Sequence, residues 1–220
     1  MNKVILGDCL KVMKNIPDNS IDLVLTDPPY GIDYQSNMRV MSEKFDKLSN
    51  DNNDSRFDAY KEYHRILKDN TVAIIFCSFK NYAVDYIELE KHFNIKNAII
   101  WHKPGGGIGD LKHSLLTDYE MAIVCHKGQK QFNGKRIGSV WRISKVNPNK
   151  MQHPTEKPYP LLERFILYYS NENDLVLDSY FGSGSTLFAC QNLKRNFIGI
   201  EIDEKYINIA KDRLRQKTLL

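Results

Sequence analysis

Short apolar, β-branched runs alternate with segments of helical spacing along nearly the whole chain, and this alternation restricts the fold more than any other feature. Strand-like runs occupy 4–6, 21–25, 71–76, 98–101, 121–125, 175–178 and 197–202. Helical spacing falls at 10–16, 59–67, 80–93, 159–169, 187–193 and 206–214. Strand–helix repeats of this kind build a mostly parallel sheet with helices on both faces. The continuous run Thr71-Val72-Ala73-Ile74-Ile75-Phe76 is the pattern of a central strand buried on both sides. In the 159–169 helix, Leu161, Leu162, Phe165 and Ile166 share one face.

The chain of 220 residues is read as one domain, 1–220, long enough for a sizeable core. No apolar run approaches the ~20 residues of a membrane span. Met1-Asn2-Lys3 runs into an apolar stretch too short for a secretory signal, so a cytoplasmic protein without membrane partners is expected. Cys9, Cys77, Cys125 and Cys190 lie far apart in sequence and read as reduced core residues, and no His has a partner at metal-ligand spacing. No metal is expected.

Two strand ends carry the chemistry. Asp27-Pro28-Pro29-Tyr30 follows the apolar run 21–25, and its prolines stiffen the carboxyl end of that strand into a platform bearing one carboxylate, backbone carbonyls and a ring. Ligands of open α/β sheets collect outside such strand ends. The second end is Asp178, followed by Gly182-Ser183-Gly184-Ser185-Thr186 and a helix. Glu201 closes the next strand seventeen positions after Gly184, near the ~20-residue offset at which an acid meets ribose hydroxyls. Leu187 stands where a dinucleotide fingerprint has its third glycine, which favours a nucleoside without a pyrophosphate.

Two further stretches are singled out by composition. Residues 31–58 are polar, lack a sustained period and include Arg39, Lys44 and Lys47; a loop so long reads as a lid. Residues 126–152 hold Lys127, Lys135, Arg136, Arg142 and Lys145, and between His126 and Met151 there is no acid. A solvated loop is the plainer reading, but Phe132 and Trp141 lie among the cations, a mixture suited to phosphate and base contact. The net charge of +4 is too small to indicate nucleic acid by itself.

Asp-Pro-Pro-Tyr after one strand and Gly-x-Gly after another resemble the S-adenosylmethionine-dependent methyltransferases that modify exocyclic amines of DNA bases. His153-Pro154-Thr155-Glu156-Lys157-Pro158 is similar to the element this family carries before its cofactor strand, and Gly7-Asp8-Cys9 to a further cofactor element. The order of motifs is that of the permuted beta class. The resemblance implies a Rossmann-like mixed seven-stranded sheet with one antiparallel strand, for which 121–125 is the candidate. It implies that Asp27, Pro28, Pro29 and Tyr30 receive the target base, with Asp27 also near the cofactor. Asp178, Gly182, Gly184, Ser185 and Thr186 would cradle the methionine part of S-adenosylmethionine, with Thr155 and Lys157 near its carboxylate and Tyr180, Phe181 and Ile202 as further cofactor contacts. Glu201 would hold the ribose hydroxyls, and Asp8 and the backbone of Cys9 would meet the adenine. The family usually has Pro and Phe where this chain has Ser179 and Tyr180.

The implied partner is double-stranded DNA, contacted by Arg39, Lys44, Lys47, Lys135, Arg136, Trp141 and Arg142. A homodimer and a cognate restriction endonuclease are further partners that the family suggests. Asp at the first motif position favours adenine N6 over cytosine N4, and a non-catalytic DNA-binding accessory subunit is the alternative of another class.

Overall fold

The structure is a computed structural model and describes residues 2–29, 53–105 and 112–215. In chain order it contains β1 (Lys3–Leu6), α1 (Cys9–Met13), β2 (Ile21–Thr26), α2 (Asn53–Ile66), β3 (Leu67–Cys77), α3 (Tyr82–Glu90), β4 (Asn94–His102), β5 (Tyr119–Lys127) and β6 (Val140–Arg142). Then follow α4 (Tyr159–Tyr169), β7 (Leu175–Asp178), α5 (Ser185–Asn192), β8 (Asn196–Glu201) and α6 (Glu204–Arg215).

The strands form one eight-stranded sheet in the order β1-β8-β7-β2-β3-β5-β4-β6. β5 runs antiparallel to both its neighbours, β3 and β4, and every other pairing is parallel. Among the described residues β5 is thus the single antiparallel strand, and it spans the expected 121–125. The strand beyond the expected seven is β6, which adds Trp141 beside Trp101 at the edge of β4. Three residues of a cation-rich stretch carry no visible period, which is why sequence spacing passes over β6.

Alternate residues of the central strands serve opposite layers, as the two-residue period of a strand requires. Leu23, Leu25, Val72, Ile74 and Phe76 pack under α4 and α5, while Val24, Ala73 and Ile75 pack with Tyr60, Tyr63 and Ile66 of α2. The expected stripe on α4 is buried as Leu161, Leu162, Phe165 and Ile166. Phe165 meets Phe76 edge-on at 5.7 Å between ring centroids and Trp141 at 4.6 Å. Burying a ring of this size contributes about 2–3 kcal/mol, so α4 docks firmly on the sheet and its amino end is fixed in space.

α2 already begins at Asn53, so the last residues of the expected 31–58 loop belong to a helix. Residues 31–52, with Arg39, Lys44 and Lys47, lie outside the described residues, as does Tyr30.

Candidate active site

β7 and β2 are neighbours, yet the chain leaves β7 for α5 on one face and β2 for α2 on the other. Such a divergence opens a crevice at the carboxyl ends of the two strands. A cavity of about 570 Å³ lies there, in the size range of small-molecule sites. Asp27 and Asp178, the last carboxylates of the two strand ends, both line it. Thr26 Oγ1 ties the ends together by donating to Asp178 Oδ1 at 3.0 Å.

On the β2 side, Lys157 forms an ion pair and hydrogen bond with Asp27 and lies 3.2 Å from Glu120. Lys103 donates to the other oxygen of Glu120 at 2.8 Å. The side chain of Lys157 is only 7 % exposed and its ammonium stands 4.9 Å from the centre of the Phe76 ring. Burial alone would lower its pKa, but the attraction of Asp27 and Glu120 raises it to about 12, so it remains an ammonium. For Glu120 burial acts upward, and the pull of Lys157 and then Lys103 leaves it below the ordinary carboxylate value. Opposite charges thus alternate from Asp27 through Lys157 and Glu120 to Lys103.

On the β7 side, Asp178 accepts from Thr26 and from the backbone N–H of Tyr180. Burial still raises its pKa to about 6, against the lowering by these bonds and by Thr186. Beneath it, Ser179 Oγ is 2.6 Å from the Tyr63 hydroxyl and 3.2 Å from Thr26 Oγ1, so α2 braces the strand end. Glu201 Oε1 accepts from the N–H groups of Ile202 and Asp203, and Oε2 from Gly182 N–H. These bonds aim the carboxylate into the cavity and fasten the end of β8 to the glycine turn. Asp8 caps α1 by accepting from Leu10 N–H at 2.8 Å, and Cys9 Sγ donates to Tyr180 OH at 3.1 Å.

The glycine turn needs its glycines for different reasons. Gly184 has φ +83°, and a Cβ there would stand 2.7 Å from that of Ala210 on α6. Gly182 has φ +51°, and a Cβ would meet the ring of His153 at 3.0 Å. That ring is held edge-on to Tyr206, and its Nδ1 accepts from Thr155 N–H. Burial, followed by the charges of Lys157 and Lys205, pushes His153 down to about 3, which keeps it neutral.

Most residues singled out in the sequence meet at this cavity: Asp8, Cys9, Asp27, Pro28, Pro29, Thr155, Lys157, Asp178, Tyr180, Phe181, Gly182, Ser185, Thr186, Glu201 and Ile202 line it. Gly184 does not line it; it packs the turn onto α6. Lys157, expected beside a cofactor carboxylate, is engaged by two carboxylates of the protein itself.

Three of the expected DNA contacts, Lys135, Arg136 and Trp141, do not line the cavity. Trp141 is buried, its ring against Phe165 and its Nε1 donating to Gly138 O. Lys135 and Arg136 are exposed, but their loop is pinned to the last turn of α4, where Asn133 donates to Leu167 O and Ser170 O and Tyr168 OH donates to Lys135 O. That turn leads into the amino end of β7, the opposite end of the sheet from the cavity. Arg142 is exposed at the end of β6 nearest His102, and Lys145 lines the cavity.

Sequence reasoning gave no role to Tyr63 or Arg213. Each acts through partners remote in sequence, so no spacing announces it.

A family model described as DNA methylase matches residues 21–212. The type II methyltransferase M.HinfI of Haemophilus influenzae is 34% identical over 98% of this chain and 69% of its own. The DNA adenine methyltransferase YhdJ of Escherichia coli is 32% identical over 96% of this chain and 82% of its own. Among solved structures, the M1.HpyAVI–SAM complex superposes with a TM-score of 0.77 at 29% identity, covering 98% of this chain and all of that one. The cytosine-N4-specific PvuII methyltransferase shares the fold with a TM-score of 0.81 at 18% identity, over all of this chain and 89% of that one.

Proposed function

Because the chain belongs to the DNA methylase family of S-adenosylmethionine-dependent amino-methyltransferases, we propose that it methylates the N6 amine of a flipped-out adenine in double-stranded DNA. The observation that carries the reading is the meeting of Asp27-Pro28-Pro29 and Asp178 on one cavity at adjacent strand ends. One wall can receive a base amine while the other receives the methyl donor.

The residues present fit the donor. Asp27, Asp178 and Glu201 give the cavity an acidic lining, suited to a cationic ligand. Gly182 permits close approach of backbone beside Ser185 and Thr186, and Glu201 lies at the end of the adjacent strand. Asp178 with the glycine turn would hold the methionine part, Glu201 the ribose, and Asp8 with Cys9 the adenine. S-adenosylmethionine supplies an electrophilic methyl group on a sulfonium sulfur.

An exocyclic amine is a poor nucleophile because its lone pair is delocalised into the ring. Asp27 and the Pro28 carbonyl would accept its two hydrogens, which favours a pyramidal nitrogen and stabilises the positive charge that develops on it. Acceptors fixed in advance need little reorganisation. The stiff Pro28-Pro29 backbone and the Lys157 ammonium provide that fixation. Alignment does the rest, without a covalent enzyme intermediate. The target base must leave the duplex to reach such a pocket.

Adenine is favoured by Asp at position 27 and by the name of the Escherichia coli relative. The type II names among the relatives support a role beside a restriction endonuclease. Phosphate contact is assigned to Arg142, exposed at the end of β6 beside His102, and to Lys145 on the cavity lining.

The test is methylation of DNA with labelled cofactor, followed by mass spectrometry of the released nucleosides. N6-methyladenine is expected from the wild type. Asp27→Asn should bind cofactor and transfer no methyl group; a fully active Asp27→Asn would remove Asp27 from the reaction. N4-methylcytosine as the product would replace the adenine assignment.

A further inference from the structure

Tyr206, Ala210 and Arg213 recur at i, i+4 and i+7 of α6, so one buried face of this helix presents all three. Each touches an active-site turn. Tyr206 holds the ring of His153, and Ala210 receives Gly184. Arg213, one position beyond the stretch matched by the family model, reaches both turns at once. Its Nη1 donates to Ser183 Oγ at 3.2 Å and to Ser185 Oγ at 2.8 Å. Its Nη2 donates to Gln152 Oε1 at 2.7 Å and to Glu156 Oε1 at 2.9 Å. The side chains of Arg213 and Glu156 are 8 % and 5 % exposed.

Glu156 is followed directly by Lys157, the partner of Asp27. Consecutive residues of one turn are therefore claimed from opposite sides, Glu156 by Arg213 and Lys157 by the catalytic platform. The guanidinium fixes the distance between the turn that takes the cofactor and the turn that meets Asp27. A planar fork can do this with both of its terminal nitrogens, whereas a lysine ammonium is a single point.

We propose that Arg213 is a positioning residue for methyl transfer, setting the glycine turn and, through Glu156 and Lys157, the Asp27 carboxylate. The proposal rests on the methyl-transfer reading. It separates two roles. A residue serving stability alone could be replaced, together with its charge partner, by neutral side chains of similar size at little cost. A positioning residue could not.

The experiment uses Arg213→Lys, which keeps the charge, and Arg213→Met with Glu156→Gln, which removes the pair together. Folding is checked by thermal melting, S-adenosylmethionine affinity by calorimetry, and the rate at saturating cofactor by single-turnover methylation. Misplacement of reacting groups is expected to weaken affinity about tenfold or more and to slow the saturated single turnover about tenfold or more, even where the melting temperature is that of the wild type. A folded variant with wild-type affinity overturns the proposal. So does one that transfers at the wild-type rate once saturated, because the clamp then does not extend to Asp27. If neither variant folds, Ser183→Ala with Gln152→Leu removes one bond from each terminal nitrogen without touching a charge and decides by the same two quantities. A wild-type protein that binds cofactor but methylates no DNA would refute the methyl-transfer reading instead, and the affinity comparison would still decide whether Arg213 sets the glycine turn.

Discussion

Replacing Lys157 with Met takes away the cation that two carboxylates share and leaves a side chain of similar length against Phe76. Removing one member of a buried ion pair typically costs 3–5 kcal/mol, because the desolvated partner charge remains. The lower end applies here: a quarter of the Glu120 side chain is exposed, and Lys103 stays 2.8 Å from it. A loss of about 3 kcal/mol follows, or ~6–12 °C in melting temperature for a chain of this size. The pH dependence is specific. In the wild type Glu120 is held below its ordinary value, so its share of stability is present above that value and is lost as pH falls through the depressed one. In Lys157→Met the largest lowering influence is gone and burial pushes Glu120 upward, so acidification relieves the variant. Urea unfolding at pH 8 and pH 5 should show a deficit that is largest at pH 8 and narrows in acid. A deficit under about 1 kcal/mol at pH 8, the value of a surface pair, or one that does not narrow, would refute the reasoning.

Three other outcomes are expected. Asp178, raised to about 6, ionises between pH 5 and 7, so cofactor affinity should strengthen about tenfold over that range, and calorimetry on Asp178→Asn should give a flatter profile. The same shift makes Asp178 a stabilising group in acid, an effect lost as pH rises through about 6. Gly184→Ala combines a left-handed φ of +83° with a 2.7 Å contact to Ala210; strain and overpacking together should cost about 2–5 kcal/mol, read by thermal melting, and a variant as stable as the wild type would show that the turn relaxes freely. Arg142→Ala with Lys145→Ala should weaken DNA binding and flatten its salt dependence, while Lys135→Ala with Arg136→Ala should change neither; the reverse order in a salt titration would relocate the DNA face.

Electrostatic order in this site follows from enclosure. Lys157, buried, and His153, half-buried, lie in one turn, yet one is an ammonium and the other a neutral imidazole. Lys157 meets two carboxylates, whereas His153 meets a glycine turn, a tyrosine ring and two lysine charges. Desolvation acts in the same direction on both, and the neighbours decide the outcome.

The amino-acid sequence determined the layered sheet and the two strand ends that meet at the cavity, and the family resemblance supplied the antiparallel strand. Local rules suffice there: continuous apolar runs make strands, an apolar stripe makes α4, paired prolines stiffen 28–29, and glycine allows the left-handed turn at 182–184. Tertiary structure alone decided which charges meet. Nothing in the order of residues brings Lys157 to Asp27, 130 positions away, or Arg213 to Ser183 and Glu156. It also decided that Trp141 fills the core while Lys135 and Arg136 lie at the far end of the sheet, because the direction of β5 sets where the loop after it emerges. Periodicity records which face a residue presents within its own element, and contact between elements depends on strand order, which the sequence does not spell out locally.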